Sequence, residues 1–72
     1  MIREKPYYPT LEAEMAKNGV KKQELAKLLD ITPRMLTFKM RGQVDFWWKE
    51  VLIIQSVFPN VPLTELFEHN NE

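Results

Sequence analysis

A chain of 72 residues with 44% hydrophobic and 28% charged residues has the balance of one small folded domain, which excludes a disordered polar segment. Cysteine is absent, so disulfide frameworks, thiolate catalysis and thiolate zinc sites are excluded together. Lys and Arg total 10 against 10 Asp and Glu, for a formal net charge of zero, and a core this small needs tight helix packing or a partner chain to stabilise it. The longest apolar run, Val51 to Ile54, is four residues, too short for a membrane span. Arg3, Glu4, Lys5 and Pro6 interrupt any signal-peptide stretch.

Residues 1–9 contain two prolines and Tyr7-Tyr8 without a helical period, and read as an extended arm. Over 10–18, Leu11 and Met15 stand four apart with Ala13 and Ala16 between and beside them, predicting a helix that Asn18-Gly19 stops. A second helix is predicted over 22–29, with Leu25, Ala26, Leu28 and Leu29 as its buried stripe. Thr32 is a good N-cap and Pro33 suits a first helical position, so a third helix runs over 33–41, burying Leu36 and Met40 and stopping at Gly42. After a linker, Gln43-Val44-Asp45, a fourth helix is predicted over 46–57 through Phe46, Val51, Leu52 and Ile54, with Phe58 following and Pro59 ending it. Pro62 opens a last short helix carrying Leu63, Leu66 and Phe67, and residues 68–72 form a polar tail. The fold class is all-α: a compact bundle of about five short helices over 10–67, with no strand alternation.

Zero net charge conceals a strong segregation. Residues 1–16 sum to −1, residues 17–49 to +5, and residues 50–72, with four glutamates and no Lys or Arg, to −4. Local potential rather than net charge governs attraction to a polyanion, so the basic middle keeps nucleic acid in view. Within that middle, two short helices joined by a three- to four-residue turn match a helix-turn-helix over 22–41. Ala26 supplies the small residue that a close crossing needs, and Leu25, Leu29, Ile31 and Leu36 anchor both helices. Any αα-corner would use the same residue types.

The run Lys22-Gln23-Glu24-Leu25-Ala26-Lys27-Leu28-Leu29-Asp30-Ile31-Thr32 resembles the Q-x-E-L-A-x-x-L-G-I-S/T segment of phage Cro/CI-type repressors, the xenobiotic-response-element class. Leu36, Lys39, Gly42, Phe46 and Glu50 are similar to the continuation seen in small phage and prophage regulators, and Pro62-Leu63-Thr64-Glu65-Leu66-Phe67 is similar to their closing helix. The resemblance spans about residues 10–67. Three positions depart from the pattern. Asp30 replaces the glycine of the turn and must adopt or avoid a left-handed backbone, Lys21 stands where a Ser, Thr or Asn cap is usual, and Trp47 replaces a capping Thr or Ser, leaving Asp45 as a candidate cap.

The resemblance implies a lambda-repressor-like DNA-binding domain: a cytoplasmic transcriptional regulator of a bacterial cell, repressor-like, from a phage or prophage. It would bind double-stranded DNA with residues 33–41 in the major groove, and would need no cofactor or metal. Its base-reading positions fall on Pro33, Arg34 and Phe38. Arg34 can make a bidentate contact to guanine, while Phe38 can meet a thymine methyl or belong to the core edge; Met35 is open between core edge and groove. Phosphate contacts are expected from Lys22 and Gln23 at a helix N-terminus, and from Arg41, Gln43 and Lys49 around the recognition helix, with Thr32 and Thr37 alongside.

Adjacent helical residues diverge by about 100°, so Trp47 and Trp48 cannot both bury on one narrow face; the sequence leaves open which of them packs on the core and which faces solvent, DNA or a subunit. His69 falls in the polar tail and is expected to be solvated. No paired-carboxylate pocket, Gly-rich phosphate loop or metal-spaced His/Asp/Glu cluster is present, and Ser56 has no base near it, so the sequence does not read as an enzyme. With no room for a separate dimerisation domain, a homodimer would form through the acidic C-terminal third, where Leu63, Leu66 and Phe67 either close the core or partly meet a second subunit. The alternative is a protein-interaction module on the same fold that binds a repressor or another protein partner, for which Phe38, Trp47 and Trp48 are candidate contacts.

Overall fold

The computed structural model describes residues 6–69. Its elements are α1 (Pro9–Lys17), α2 (Lys22–Leu29), α3 (Pro33–Met40), α4 (Trp48–Val57) and α5 (Leu63–Leu66), and no strand occurs among the described residues. The architecture is all-helical, as the sequence predicts. No described helix is long and apolar enough to cross a membrane.

Each helix sends one aliphatic side chain to the centre. Leu11, Leu25, Leu36, Ile54 and Leu66, one per helix, are all fully buried. Burying a side chain of this size contributes about 1.5–3 kcal/mol, so five such residues set the packing of even a small core. Met15, Ala26, Leu29, Met40 and Phe58 complete it. Leu66 thus closes the core, while Leu63 and Phe67 are half-buried. Leu28, assigned by its spacing to the buried stripe of α2, is instead 55% exposed, because the α2 stripe is satisfied by Leu25, Ala26 and Leu29 alone.

The described part of the expected arm is not free. Residues 1–5 lie outside the described residues, but Tyr8 is buried and α1 already begins at Pro9. The Tyr8 ring meets Phe46 at 5.6 Å and Phe67 at 5.8 Å between centroids, which joins the chain's start to α5 through aromatic packing. Burial, then the nearby Tyr7 and Asp45, raises the Tyr8 phenol above its ordinary 10.0. The neutral phenol therefore stabilises the fold fully below about pH 10, and that contribution is lost as pH climbs through the raised value. His69 is exposed but not merely solvated: its ring stacks on Tyr7 at 4.8 Å with an interplanar angle of 3°.

Helix α4 starts two residues later than the apolar pattern suggests. Trp47 is extended, at φ −75° and ψ 154°, and its backbone N–H donates to Glu50 Oε1 at 2.8 Å, so the helix begins at Trp48 and Asp45 caps nothing. Lys21 plays the same part for α2: its N–H donates to Glu24 Oε1 at 2.9 Å, one of the two bonds of a capping box, while the bond that a Ser or Thr side chain would accept is not made. The Gln55 side chain donates to the carbonyls of Phe58 and Val61 at 3.3 and 2.7 Å and ties α4 to the turn before α5.

The first three helices end alike. Val20 N–H donates to the Met15 carbonyl, Ile31 N–H to Ala26 and Gln43 N–H to Phe38, each a 6→1 bond around one left-handed residue. Those residues are Gly19, Asp30 and Gly42, with φ of 68°, 59° and 78°. Asp30 therefore adopts the left-handed backbone, at a cost of about 1–2 kcal/mol that glycine would not incur. Asp30→Gly is expected to stabilise the domain by about 0.5–1 kcal/mol, the gain being reduced by glycine's larger unfolded-state entropy. A urea midpoint that falls in the variant would contradict this account.

Candidate nucleic-acid interface

Helices α2 and α3 pack with Leu25 and Ala26 of one and Leu36 of the other buried, and with only residues 30–32 between them. Ala26, 1% exposed, is the small residue at the crossing. Thr32 Oγ1 accepts from Met35 N–H at 3.1 Å and Pro33 takes the first helical position, so the start of α3 is defined by its own residues. With Leu36, Lys39 and Met40 buried, α3 turns its remaining side chains outward.

Pro33, Arg34 and Met35 are exposed, and Thr37 and Phe38 are half-buried. Arg34 and Phe38 share a face, the guanidinium lying 5.7 Å from the ring centroid. Phe38 is half-buried without being one of the side chains packed on the core, and Arg34 rests beside it instead of pointing freely into solvent. The two threonine hydroxyls serve the helix itself: Thr32 caps it, and Thr37 Oγ1 donates to the Pro33 carbonyl at 3.0 Å. Lys22 and Gln23 are exposed in the first turn of α2, where backbone N–H groups lack helical partners. Arg41 and Gln43 are exposed just beyond α3, and Lys49 in the first turn of α4.

Lys39 behaves differently from the other basic residues of 17–49. It is 3% exposed, and its Nζ donates to Glu50 Oε1 at 2.6 Å, with Glu50 only 2% exposed. The same oxygen accepts the Trp47 N–H. One carboxylate therefore neutralises a buried ammonium from α3 and sets the first turn of α4. No buried side-chain polar atom among the described residues lacks a partner. Lys39 adds nothing to the outward charge, which rests on Lys17, Lys21, Lys22, Lys27, Arg34, Arg41 and Lys49, all exposed.

Both tryptophans are exposed, Trp47 at 62% and Trp48 at 65%, so neither packs on the core. The reason is the later helix start: Trp47 is an extended cap residue, and the 100° rule does not apply to it. Its indole lies 5.4 Å from Lys39 Nζ and 5.4 Å from Lys49 Nζ, so it fixes Lys49 close to the end of α3. Among the described residues no cluster of three or more His, Asp or Glu could hold a metal ion. Ser56 Oγ donates to the Ile53 carbonyl at 2.6 Å. No family model, curated protein or solved structure matches the chain.

Proposed function

We propose that this protein is a sequence-specific, double-stranded DNA-binding transcriptional regulator of the repressor type, with α3 entering the major groove. The observation that carries the reading is the two-sidedness of α3: Leu36 and Met40 are fixed in the core while Pro33, Arg34 and Met35 stand out at its N-terminal turn. A recognition helix presents base-reading side chains from that turn. Arg34 reads a guanine, Phe38 supports it and can meet a thymine methyl, and Lys22, Arg41 and Lys49 hold phosphates. The similarity to phage and prophage Cro/CI-type regulators at 22–32 supports the same reading.

The test is a salt and mutant titration on duplex DNA flanking the gene. The slope of log K against log salt is expected to be at least about −3 per chain, at about −0.9 per phosphate neutralised. Arg34→Ala is expected to cost about 1–3 kcal/mol on the preferred site and to relax one base pair, whereas Lys22→Ala weakens all sequences alike and shallows the slope by about one unit. Equal loss on cognate and random DNA for Arg34→Ala would move that residue to a phosphate. A flat salt response would remove the DNA reading. Two chains are expected on an inverted repeat with half-sites roughly 10 base pairs apart, the separation of successive major grooves. A single half-site bound by one chain at saturation contradicts the dimer.

The second reading, a protein-binding module on this fold, is favoured by one observation: Trp48 and Leu52, one turn apart on α4, are 65% and 48% exposed. Loss of DNA binding in no variant, together with a flat salt response, would promote it.

A further inference from the structure

A groove of about 450 Å3 opens on the side of the molecule formed by α4, α5 and the segment before α4. No residue of α2 or α3 lines it, so it is separate from the proposed DNA face. Its wall is aromatic: Phe46 and Phe67 pack edge to face at 5.5 Å, and Tyr8 closes the triad behind them. Trp48 and Asp45 stand at its margin, both exposed. The two tryptophans differ in company. Trp47 has an ammonium group 5.4 Å away on two sides, whereas the indole of Trp48 meets no ring and no cation among the described residues.

Charge decides what such a groove can take. Asp45 forms no ion pair among the described residues, where Lys39–Glu50 is the pair found. Besides the buried Glu50, residues 50–69 contain Glu65 in α5 and Glu68 just after it, both exposed, and no Lys or Arg. A polyanion is repelled from this side. A second copy docked by two-fold symmetry would set Asp45, Glu65 and Glu68 against themselves, because a two-fold contact uses the same patch on both chains. Aromatic faces beside a carboxylate favour a guanidinium, which stacks on the ring and pairs with the acid at once. The groove is open along its length, with Trp48 and Val51 forming its α4 side, a shape suited to a chain segment more than to an enclosed small molecule.

We propose that this groove docks an arginine-bearing, otherwise apolar segment of a partner protein, with the arginine stacked on Trp48 and paired with Asp45. The domain then presents two faces of opposite charge, the basic one around α3 and this acidic-aromatic one on α4 and α5.

The test uses the full chain carrying Trp47→Phe, so that Trp48 is the one fluorophore of its kind, and three synthetic amphipathic peptides alike except for Arg, Lys or Glu at the charged positions. The Arg peptide is expected to change Trp48 emission saturably, the Lys peptide to bind more weakly, and the Glu peptide not to bind. Asp45→Asn is expected to weaken the Arg peptide about fivefold, the size of one partly shielded cation–aromatic or ion-pair contact. Thr64→Lys, placed in the groove wall, should abolish binding while circular dichroism stays unchanged. Equal binding of Arg and Glu peptides, indifference to both Asp45→Asn and Thr64→Lys, or occupation of the groove by a second copy in sedimentation runs would each overturn the proposal. None of these outcomes depends on whether α3 binds DNA.

Discussion

Glu50→Ala is expected to cost about 3–5 kcal/mol, the range measured when one partner of a buried ion pair is removed. Both side chains are almost wholly out of water, Glu50 at 2% and Lys39 at 3% exposure. Alanine would leave the Lys39 ammonium buried without its carboxylate and, at the same time, the Trp47 N–H without its acceptor. Domains of this size have a total stability of about 4–11 kcal/mol, so a loss of this magnitude places the variant near its unfolding transition at room temperature. Urea unfolding monitored by circular dichroism measures it directly. The companion experiment is Lys39→Met with Glu50→Leu, which removes both charges together and is expected to restore most of the stability or exceed it. That pair of results separates the cost of an orphaned charge from the worth of the pair itself. A Glu50→Ala midpoint within about 1 kcal/mol of the parent would mean that water reaches Lys39, contrary to its burial.

The consequence reaches the proposed DNA face. Lys39 belongs to α3 and Glu50 to α4, and their contact holds the Trp47 cap and Lys49 against the end of α3. The double variant is therefore expected to keep its fold while changing the proposed phosphate contact of Lys49 more than the proposed base contact of Arg34.

Helix existence and order were legible because each signal was local. Pro33 behind Thr32, Gly19 and Gly42 after their helices, and the four-residue spacing of Leu11 with Met15 all act within one turn, and the structure follows them. The start of α4 was not legible. Phe46 and Trp47 are apolar and look helical in composition, but their place is set by Glu50, three residues after Trp47, and by Lys39, eleven residues before Glu50. A signal was present: Lys39 follows Leu36 by three residues and precedes Met40, which puts it on the buried side of α3 where a lone cation needs an acid. The aromatic closure was missed for a different reason. Tyr7, Tyr8, Phe67 and His69 lie near opposite ends of the chain, and no periodicity couples such positions. Of the candidate contacts, the exposure of Arg34, Lys22, Arg41 and Lys49 follows from a simple helical wheel, whereas the internal bonds of Thr32 and Thr37 need the backbone to be seen.

That closure gives the other large expected effect. Gly42 ends α3 at φ 78°, and a Cβ placed there would lie 2.7 Å from three carbons of the Tyr7 ring. Gly42→Ala meets two independent penalties. The left-handed backbone costs a side chain about 1–2 kcal/mol, and forcing the ring aside costs about 1–3 kcal/mol of packing. Tyr7 cannot move without consequence, since it stacks on His69 and meets Tyr8 edge to face at 4.8 Å. The combined loss, about 2–5 kcal/mol by these two terms, should appear as a lower thermal midpoint. Tyr7→Ala in the same chain tells the terms apart: with the ring gone, Gly42→Ala should lose its steric part and keep only the backbone part. A coupling of about 1–3 kcal/mol between the two sites is the expected result of that double-mutant cycle. Strict additivity would mean that Tyr7 does not rest on Gly42 in solution, and that the segment before α1 is held by the packing of Tyr8 on Phe46 and Phe67.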